Sequence, residues 1–237
     1  MKLFCLPYAG GSAQRIYRDW HRRLPAHVEV VPVELPGRGG RFSEPPHSRA
    51  ESLLTDALGQ IAPWRGGPVA LFGHSMGAAL AFELARRLER DYGCRPAHLL
   101  VSGASAPAVE PRVSPHGLTE ADLREFVTRV SAAPPEVLAD DELMAVVLPI
   151  LRADLHAMSH WRPAPDPPVS CPLTVIGANG DDEVPVGALP QWRRCATGPF
   201  ALHIVAGGHL VIDQSPELLL PIVRSALAAP VGVPVSG

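Results

Sequence analysis

Gly73-His74-Ser75-Met76-Gly77 lies directly between an apolar run, residues 69–72, and a run of helical periodicity, residues 78–88. A serine on a sharp strand-to-helix turn needs glycines on both sides to relieve crowding, and that framing gives the G-x-S-x-G pattern its meaning as a nucleophile site. A serine hydroxyl is a weak nucleophile at neutral pH and needs a base, itself oriented by an acid. In folds that place the nucleophile this way, the partners follow the serine in the order acid, then histidine. His209 fits the order, because it follows the apolar run 201–205 and the flexible pair Gly207-Gly208. Among the other histidines, His203 falls within a strand and His74 is the motif's variable residue, pointing along the turn. His98, His156 and His160 read as surface or core residues. For the acid, the segment after residues 173–176 offers Asp181, Asp182 and Glu183; Asp181 is preferred, with Asp182 open because spacing does not separate neighbours on a loop.

An oxyanion site needs two backbone N–H donors, one from the residue after the nucleophile, here Met76. The second should come from the loop after an early strand, and Pro7-Tyr8-Ala9-Gly10-Gly11-Ser12 is such a loop, opening into a helix with Ile16 and Trp20. A Gly-Gly pair also suits phosphate binding, but neither G-x-x-x-x-G-K-[ST] nor G-x-G-x-x-G occurs in the chain.

The elements that must position these residues alternate. Short apolar strands are expected at residues 2–6, 28–33, 69–72, 98–102, 173–176 and 201–205, nearly continuous in hydrophobicity as strands covered on both faces are. Between them lie helices: Ser48 and Glu51 have capping-box spacing before Leu53, Leu54, Ala57, Leu58 and Ile61, and Leu80, Leu84 and Leu88 form one stripe. Ser215-Pro216-Glu217 reads as a further helix start. The fold class is therefore α/β, a mostly parallel sheet flanked by helices, and with the serine turn an α/β-hydrolase fold. Residues 106–168 break the alternation with helical segments at 119–130 and 141–156, a helical lid inserted over the sheet's carboxyl edge within a single domain of residues 1–237. The tail from Pro230 reads as frayed.

Composition narrows the function classes. A formal net charge of −3 gives no general attraction to nucleic acid. No apolar run reaches membrane-spanning length and residues 1–6 read as a strand, so a cytoplasmic location is expected. Cys5, Cys94, Cys171 and Cys195 are scattered, which suggests buried free thiols and neither zinc nor a disulfide framework.

Three groups of residues in fixed order carry a more specific signal: Leu6-Pro7-Tyr8-Ala9-Gly10-Gly11-Ser12-Ala13, Glu34-Leu35-Pro36-Gly37-Arg38-Gly39 with Arg41, and Gly73-His74-Ser75-Met76-Gly77. With Leu148-Pro149-Ile150-Leu151-Arg152-Ala153-Asp154 and Gly207-Gly208-His209, the chain resembles, over nearly its whole length, the type II thioesterases that accompany polyketide synthases and nonribosomal peptide synthetases. The resemblance implies hydrolysis of acyl thioesters from the phosphopantetheine arm of carrier proteins, with no cofactor or metal beyond that arm. It implies a triad of Ser75, Asp181 and His209, with Asp181 heading a D-x-x-V pattern completed by Val184, and oxyanion donors at Ala9 and Met76. Two departures stand out: Asn179-Gly180 replaces a Gly-Gly-like turn before the acid, and Trp161 stands where a tyrosine is common.

Arg15, Arg18 and Arg22 are expected on one face of the helix after Gly10-Gly11, where they would suit an acidic carrier protein; a solvated face is the ordinary alternative. An esterase, peptidase or acyltransferase on the same fold is a rival reading, since a triad does not select sulfur over oxygen or nitrogen. A hydrolase-like binding protein without catalysis is another.

Overall fold

Alternate residues of the first strand, β1 (Lys2–Leu6), feed two separate cores: Phe4 and Leu6 pack into one cluster, Leu3 and Cys5 into the other. Side chains alternate across a strand, so such a segment is stable only with a helical layer on each face. In the computed structural model, which describes residues 1–107, 119–130, 135–159, 161 and 167–228, five more strands join it: β2 (Glu29–Pro32), β3 (Val69–His74), β4 (His98–Ser102), β5 (Leu173–Ala178) and β6 (Phe200–Val205). Their order is β2-β1-β3-β4-β5-β6 and every neighbouring pair is parallel. β1 and β4 coincide with the sequence expectation, β3 and β5 run past it toward the site, and β2 is shorter. The edge strands β2 and β6 are only partly covered, so the reading of strands buried on both faces holds for the four inner ones.

One face of the sheet is covered by α2 (Ala50–Ile61) and α3 (Met76–Tyr92), whose Leu53, Leu54, Ile61, Leu80, Leu84 and Leu88 are fully buried against β1, β3 and β4. α3 ends where Gly93 takes a left-handed conformation and its N–H reaches back to the Leu88 carbonyl. The other face is covered by α8 (Pro216–Leu227), through Leu219, Leu220 and Val223, and by Tyr17 and Trp20 against Phe72. Here the expected single helix after Gly10-Gly11 is corrected. α1 is only Ala13–Ile16, followed by turns and a 3-10 helix at Trp20–Arg22, because Tyr17 and Trp20 turn inward to stack edge-on with ring centroids 5.0 Å apart. Arg15, Arg18 and Arg22 therefore do not share a helix face.

The expected capping box is also corrected. α2 begins at Ala50 with Arg49 before it and no side-chain cap, since Glu51 is drawn away to Arg87 in a bidentate pair at 2.7 and 2.8 Å. The helix start at Ser215-Pro216-Glu217 is where α8 begins, with Pro216 in its first turn and no side-chain cap hydrogen bond from Ser215. Between β4 and β5 the helices are α4 (Glu120–Val130), α5 (Pro135–Leu138) and α6 (Asp141–Ser159), the last running three residues past expectation. Leu123, Met144, Leu148 and Leu151 form their small common core. Between β6 and α8 lies the single turn α7 (Val211–Gln214). Cys5, Cys171 and Cys195 are buried, Cys94 is half-buried, and none of the four is in a disulfide. The tail from Pro230 lies outside the described residues, and no described helix is long and apolar enough to cross a membrane.

The Tyr17 hydroxyl donates to the Leu6 carbonyl at 2.6 Å, at the end of β1 where the chain leaves for the Pro7–Ser12 loop. Tyr17→Phe keeps the ring and removes this donor, while the β1–β3 register leaves the Leu6 carbonyl its ladder partner. The expected cost is about 0.5–1.5 kcal/mol in urea denaturation, and an unchanged midpoint would show the bond to be neutral.

Candidate active site

Ser75 has φ 54° and ψ −117°, the sole positive φ outside glycine among the described residues. Such a conformation costs on the order of 1–3 kcal/mol and persists only where the surroundings impose it. Here they do so by close approach. A methyl on Gly73 would sit 2.0 Å from the Gly77 carbonyl oxygen, and one on Gly77 would sit 2.4 Å from the Leu6 carbonyl oxygen. The Ser75 N–H is taken by the Ser102 carbonyl at 2.8 Å, so β1, β3 and β4 together shape the turn. The serine side chain emerges at the N-terminus of α3, where the helix dipole favours negative charge.

Strands β5 and β6 deliver its partners. His209 Nε2 lies 2.9 Å from Ser75 Oγ, and its Nδ1 lies 3.0 and 3.1 Å from the two carboxylate oxygens of Asp181. A carboxylate only accepts, so Nδ1 carries the proton and Nε2 faces the serine hydroxyl as an acceptor. Asp181 Oδ1 also accepts the N–H groups of Glu183 at 2.9 Å and Val184 at 3.0 Å. Burial pushes this carboxyl up, but the His209 ring and those two N–H groups outweigh it and hold it below its ordinary range. Asp181 is buried, whereas Asp182 is exposed and Glu183 turns to Arg129 of α4 at 2.8 Å. The two loops are laced together: Asn179 N–H donates to the Val205 carbonyl, Gly180 N–H to the Gly207 carbonyl, and Gly207 N–H to Asn179 Oδ1. The Asn179 departure thus supplies an added acceptor between the loops. Trp161 packs against the larger core.

Sequence reasoning missed His74, which is fully buried rather than simply pointing along the turn. Its Nε2 is 2.7 Å from the His209 carbonyl oxygen and its Nδ1 is 3.0 Å from Ser102 Oγ. A carbonyl only accepts, which makes Nε2 the protonated nitrogen and leaves Nδ1 to accept from the serine. Burial, with the neighbouring His209, lowers its pKa to about 3, so the ring is neutral at physiological pH. No spacing rule flags this role. His203 is exposed on β6, His98 pairs with Thr174 across β4 and β5, His156 meets the Ser48 carbonyl, and His160 lies outside the described residues.

Met76 is the first residue of α3, so its N–H has no carbonyl within the helix. Across from it, Gly11 N–H closes a turn onto the Tyr8 carbonyl at 3.0 Å, with Gly10 at φ 79°, the geometry of a type II turn with Ala9 at its second position. Ala9 packs beneath Leu123, Met144, Leu148 and Leu151. Three acidic and basic residues not assigned from sequence hold this loop. Arg38 grips Asp154 at 2.6 and 2.9 Å, both buried, and Asp154 Oδ2 accepts the Gly10 N–H at 2.8 Å. Glu34 accepts from Ser12 Oγ at 2.8 Å and from the N–H groups of Ala13 and Gln14. The available signal was their setting in the Glu34–Arg41 and Arg152-Ala153-Asp154 segments among apolar neighbours. On the rim, Arg15 donates to Tyr8 and to Asp213 of α7, while Arg18 and Arg22 both approach Asp19. A groove of about 620 Å³ between α4 and α6 is lined by residues of those helices, Leu148 and Arg152 among them, and contains no member of the Ser75 constellation.

Comparison with known proteins agrees with this geometry. A family model described as a thioesterase domain matches residues 1–226. The chain is 37% identical over 215 residues to thioesterase PikA5 of Streptomyces venezuelae, covering 90% of this chain and 76% of that one. It is 35% identical over 229 residues to a Brevibacillus parabrevis protein named linear gramicidin dehydrogenase LgrE, covering 95% and 87%; no G-x-G-x-x-G dinucleotide loop occurs in the present sequence. Among solved structures it is similar to RedJ, a thioesterase from the prodiginine biosynthetic pathway of Streptomyces coelicolor, with TM-score 0.87 and 36% identity, covering 95% of this chain and 90% of that one.

The neutral burial of His74 has a sign. Unfolded, its imidazole takes a proton near pH 6.5; folded, it does so only near 3, so in that window the folded state binds fewer protons and loses stability as pH falls. Burial acts likewise on His98, down to about 4. Removing His74 as His74→Asn should flatten the dependence of unfolding free energy on pH between 6 and 4 by up to about 1.4 kcal/mol per pH unit. Urea titrations at several pH values measure it, and an unaltered slope would mean the ring titrates normally.

Proposed function

Because the chain belongs to the thioesterase family, we propose that it is a stand-alone type II thioesterase, releasing acyl groups from the phosphopantetheine arm of carrier proteins in polyketide or nonribosomal-peptide biosynthesis. The observation that carries this reading is the 2.9 Å approach of His209 Nε2 to Ser75 Oγ, with Asp181 behind the imidazole and an apolar helical cover above. Ser75 attacks the thioester carbonyl as His209 takes its proton, and the N–H groups of Ala9 and Met76 receive the developing oxyanion. The thiol of the carrier arm leaves with the proton from His209. Water, deprotonated by His209, then attacks the acyl-serine, and the free acid departs as Ser75 regains its proton. Asp181 holds the imidazole with Nδ1 protonated and stabilises the imidazolium. No cofactor is required beyond the arm that the substrate brings, and the cytoplasm, where the carriers act, is the expected compartment.

Removal of aberrant or stalled acyl groups is the role proposed for it, with acidic carrier proteins as partners. Arg18 and Arg22, largely exposed, are the cations left facing solvent for docking; Arg15 is committed to Tyr8 and Asp213.

Intact-protein mass spectrometry of a panel of acylated carriers tests the activity. Wild type should discharge them, and Ser75→Ala should be slower by about 10⁴–10⁶-fold with its fold retained; deacylation at the wild-type rate by that variant would defeat the proposal. A fluorophosphonate should label Ser75 in the wild type, which separates an enzyme from a binding protein. Arg18→Glu is expected to raise KM several-fold for acyl carriers and leave it unchanged for a small acyl thioester. Equal shifts for both substrates would remove Arg18 from docking.

A further inference from the structure

The turn that presents Ala9 is fastened from above, by a carboxylate belonging to α6. Asp154 is fully buried, and its Oδ2 accepts both the Gly10 N–H at 2.8 Å and the Arg38 guanidinium at 2.6 Å, while Oδ1 takes the second Arg38 nitrogen at 2.9 Å. A lone carboxylate at that depth would be prohibitively unfavourable, and Arg38 neutralises it. Arg38 is anchored in turn by donating to the Pro36 carbonyl at 3.3 Å.

The consequence for Ala9 follows from peptide geometry. Within one trans peptide the C=O and N–H point to opposite sides, so the Gly11 hydrogen bond to the Tyr8 carbonyl aims the Ala9 N–H the other way. Because Ala9 is not at positive φ, a turn closed by that bond takes one of two forms, type I or type II, which differ by a flip of the central peptide, here Ala9–Gly10. The flip would turn the Gly10 N–H away and bring the Ala9 carbonyl oxygen against the Asp154 carboxylate. Acceptance of the Gly10 N–H therefore selects the form with Gly10 at φ 79°.

We infer that Asp154 is a positioning residue for the oxyanion site, fixing the Ala9 turn through the Gly10 N–H. This rests on the reading of Ala9 as an oxyanion donor. Asp154 touches neither the substrate nor the reacting atoms. The same helix supplies Leu148 and Leu151 of the apolar cover, and Leu151 approaches to 3.4 Å of the point where a methyl on Gly10 would lie. The cover and the form of the Ala9 turn accordingly both depend on one element, α6.

Two double variants isolate the hydrogen bond, since both leave the buried pair uncharged. Arg38→Leu/Asp154→Asn retains an acceptor for the Gly10 N–H, and Arg38→Leu/Asp154→Leu does not. On a small acyl thioester, the leucine double variant, which misplaces the donor without deleting it, should lose about 10–10²-fold in kcat relative to the asparagine one, with KM within a few-fold. Affinity for a trifluoromethyl ketone analogue, whose serine adduct bears an oxyanion, should fall in parallel with kcat, while affinity for the unreactive amide analogue stays level. A purely structural role would lower both affinities together, and that result, or equal kcat in the two variants, would overturn the inference. If the leucine variant does not fold, Asp154→Glu keeps the charge pair while shifting the acceptor by one methylene. It should lose at least about 10-fold in kcat with the same split between the two analogues, and a wild-type kcat would overturn the inference. Ser75→Ala is run alongside: undiminished turnover there would remove Ser75 as the nucleophile and with it the oxyanion site on which this inference rests, whereas a dead Ser75→Ala with indistinguishable double variants would remove only the role of Asp154.

Discussion

Backbone crowding at one turn governs the arrangement of this molecule. β3 enters the turn and α3 leaves it with no room for a side chain on either flank, because the Leu6 carbonyl of β1 and the Gly77 carbonyl of α3 press against the glycines. Ser75 accepts an unfavourable φ as the result, and its N–H is captured by β4. Parallel pairing then decides where everything else arrives. All six strands run in one direction, so the loops that follow β1, β3, β5 and β6 open at the same edge and bring Ala9, Ser75, Asp181 and His209 together there. Ser75 and His209 are 134 positions apart in the chain, and because β6 lies three places from β3 in the sheet, the loop after β6 completes the approach to hydrogen-bonding distance.

Around that edge the protein buries more charge than its core would tolerate unpaired. Glu34, Arg38, Asp154 and Asp181 are each nearly inaccessible to water. The three carboxylates accept backbone N–H groups of the loops that carry the site, and Arg38 donates to Asp154 and to the Pro36 carbonyl. Exchanging such groups for well-packed apolar ones is often neutral or favourable to stability, so their value lies in fixing loop conformation. His74 works the same way without charge: one nitrogen donates and the other accepts, which leaves the ring a single orientation between Ser102 and the His209 backbone.

Legibility in the sequence follows the range of the interactions involved. β1 and β4 were readable to the residue, because their patterns are local and their burial complete. The serine turn was readable because strand, glycines and helix are contiguous. Asp181 and Asp182 separated only in space, where the turn after Gly180 buries the first and exposes the second. Long-range competition defeated the local rules. The Ser48–Glu51 capping box lost Glu51 to Arg87, 36 residues away, and the helix after Gly11 was cut short by the inward turn of Tyr17 and Trp20 onto Phe72. Arg38 and Asp154 are 116 residues apart, and neither segment alone indicates the other.

The lacing of Asn179 and Gly180 to Val205 and Gly207 has a mechanical implication. It makes the Asp181 and His209 loops a single stiff body, continuous with β5 and β6, whereas Ser75 rides on the β3–α3 turn. A displacement between them would be felt at the imidazole–hydroxyl contact and not at the carboxylate–imidazole one. His74, donating to the His209 carbonyl from a position next to Ser75 in the chain, ties the two together across that seam.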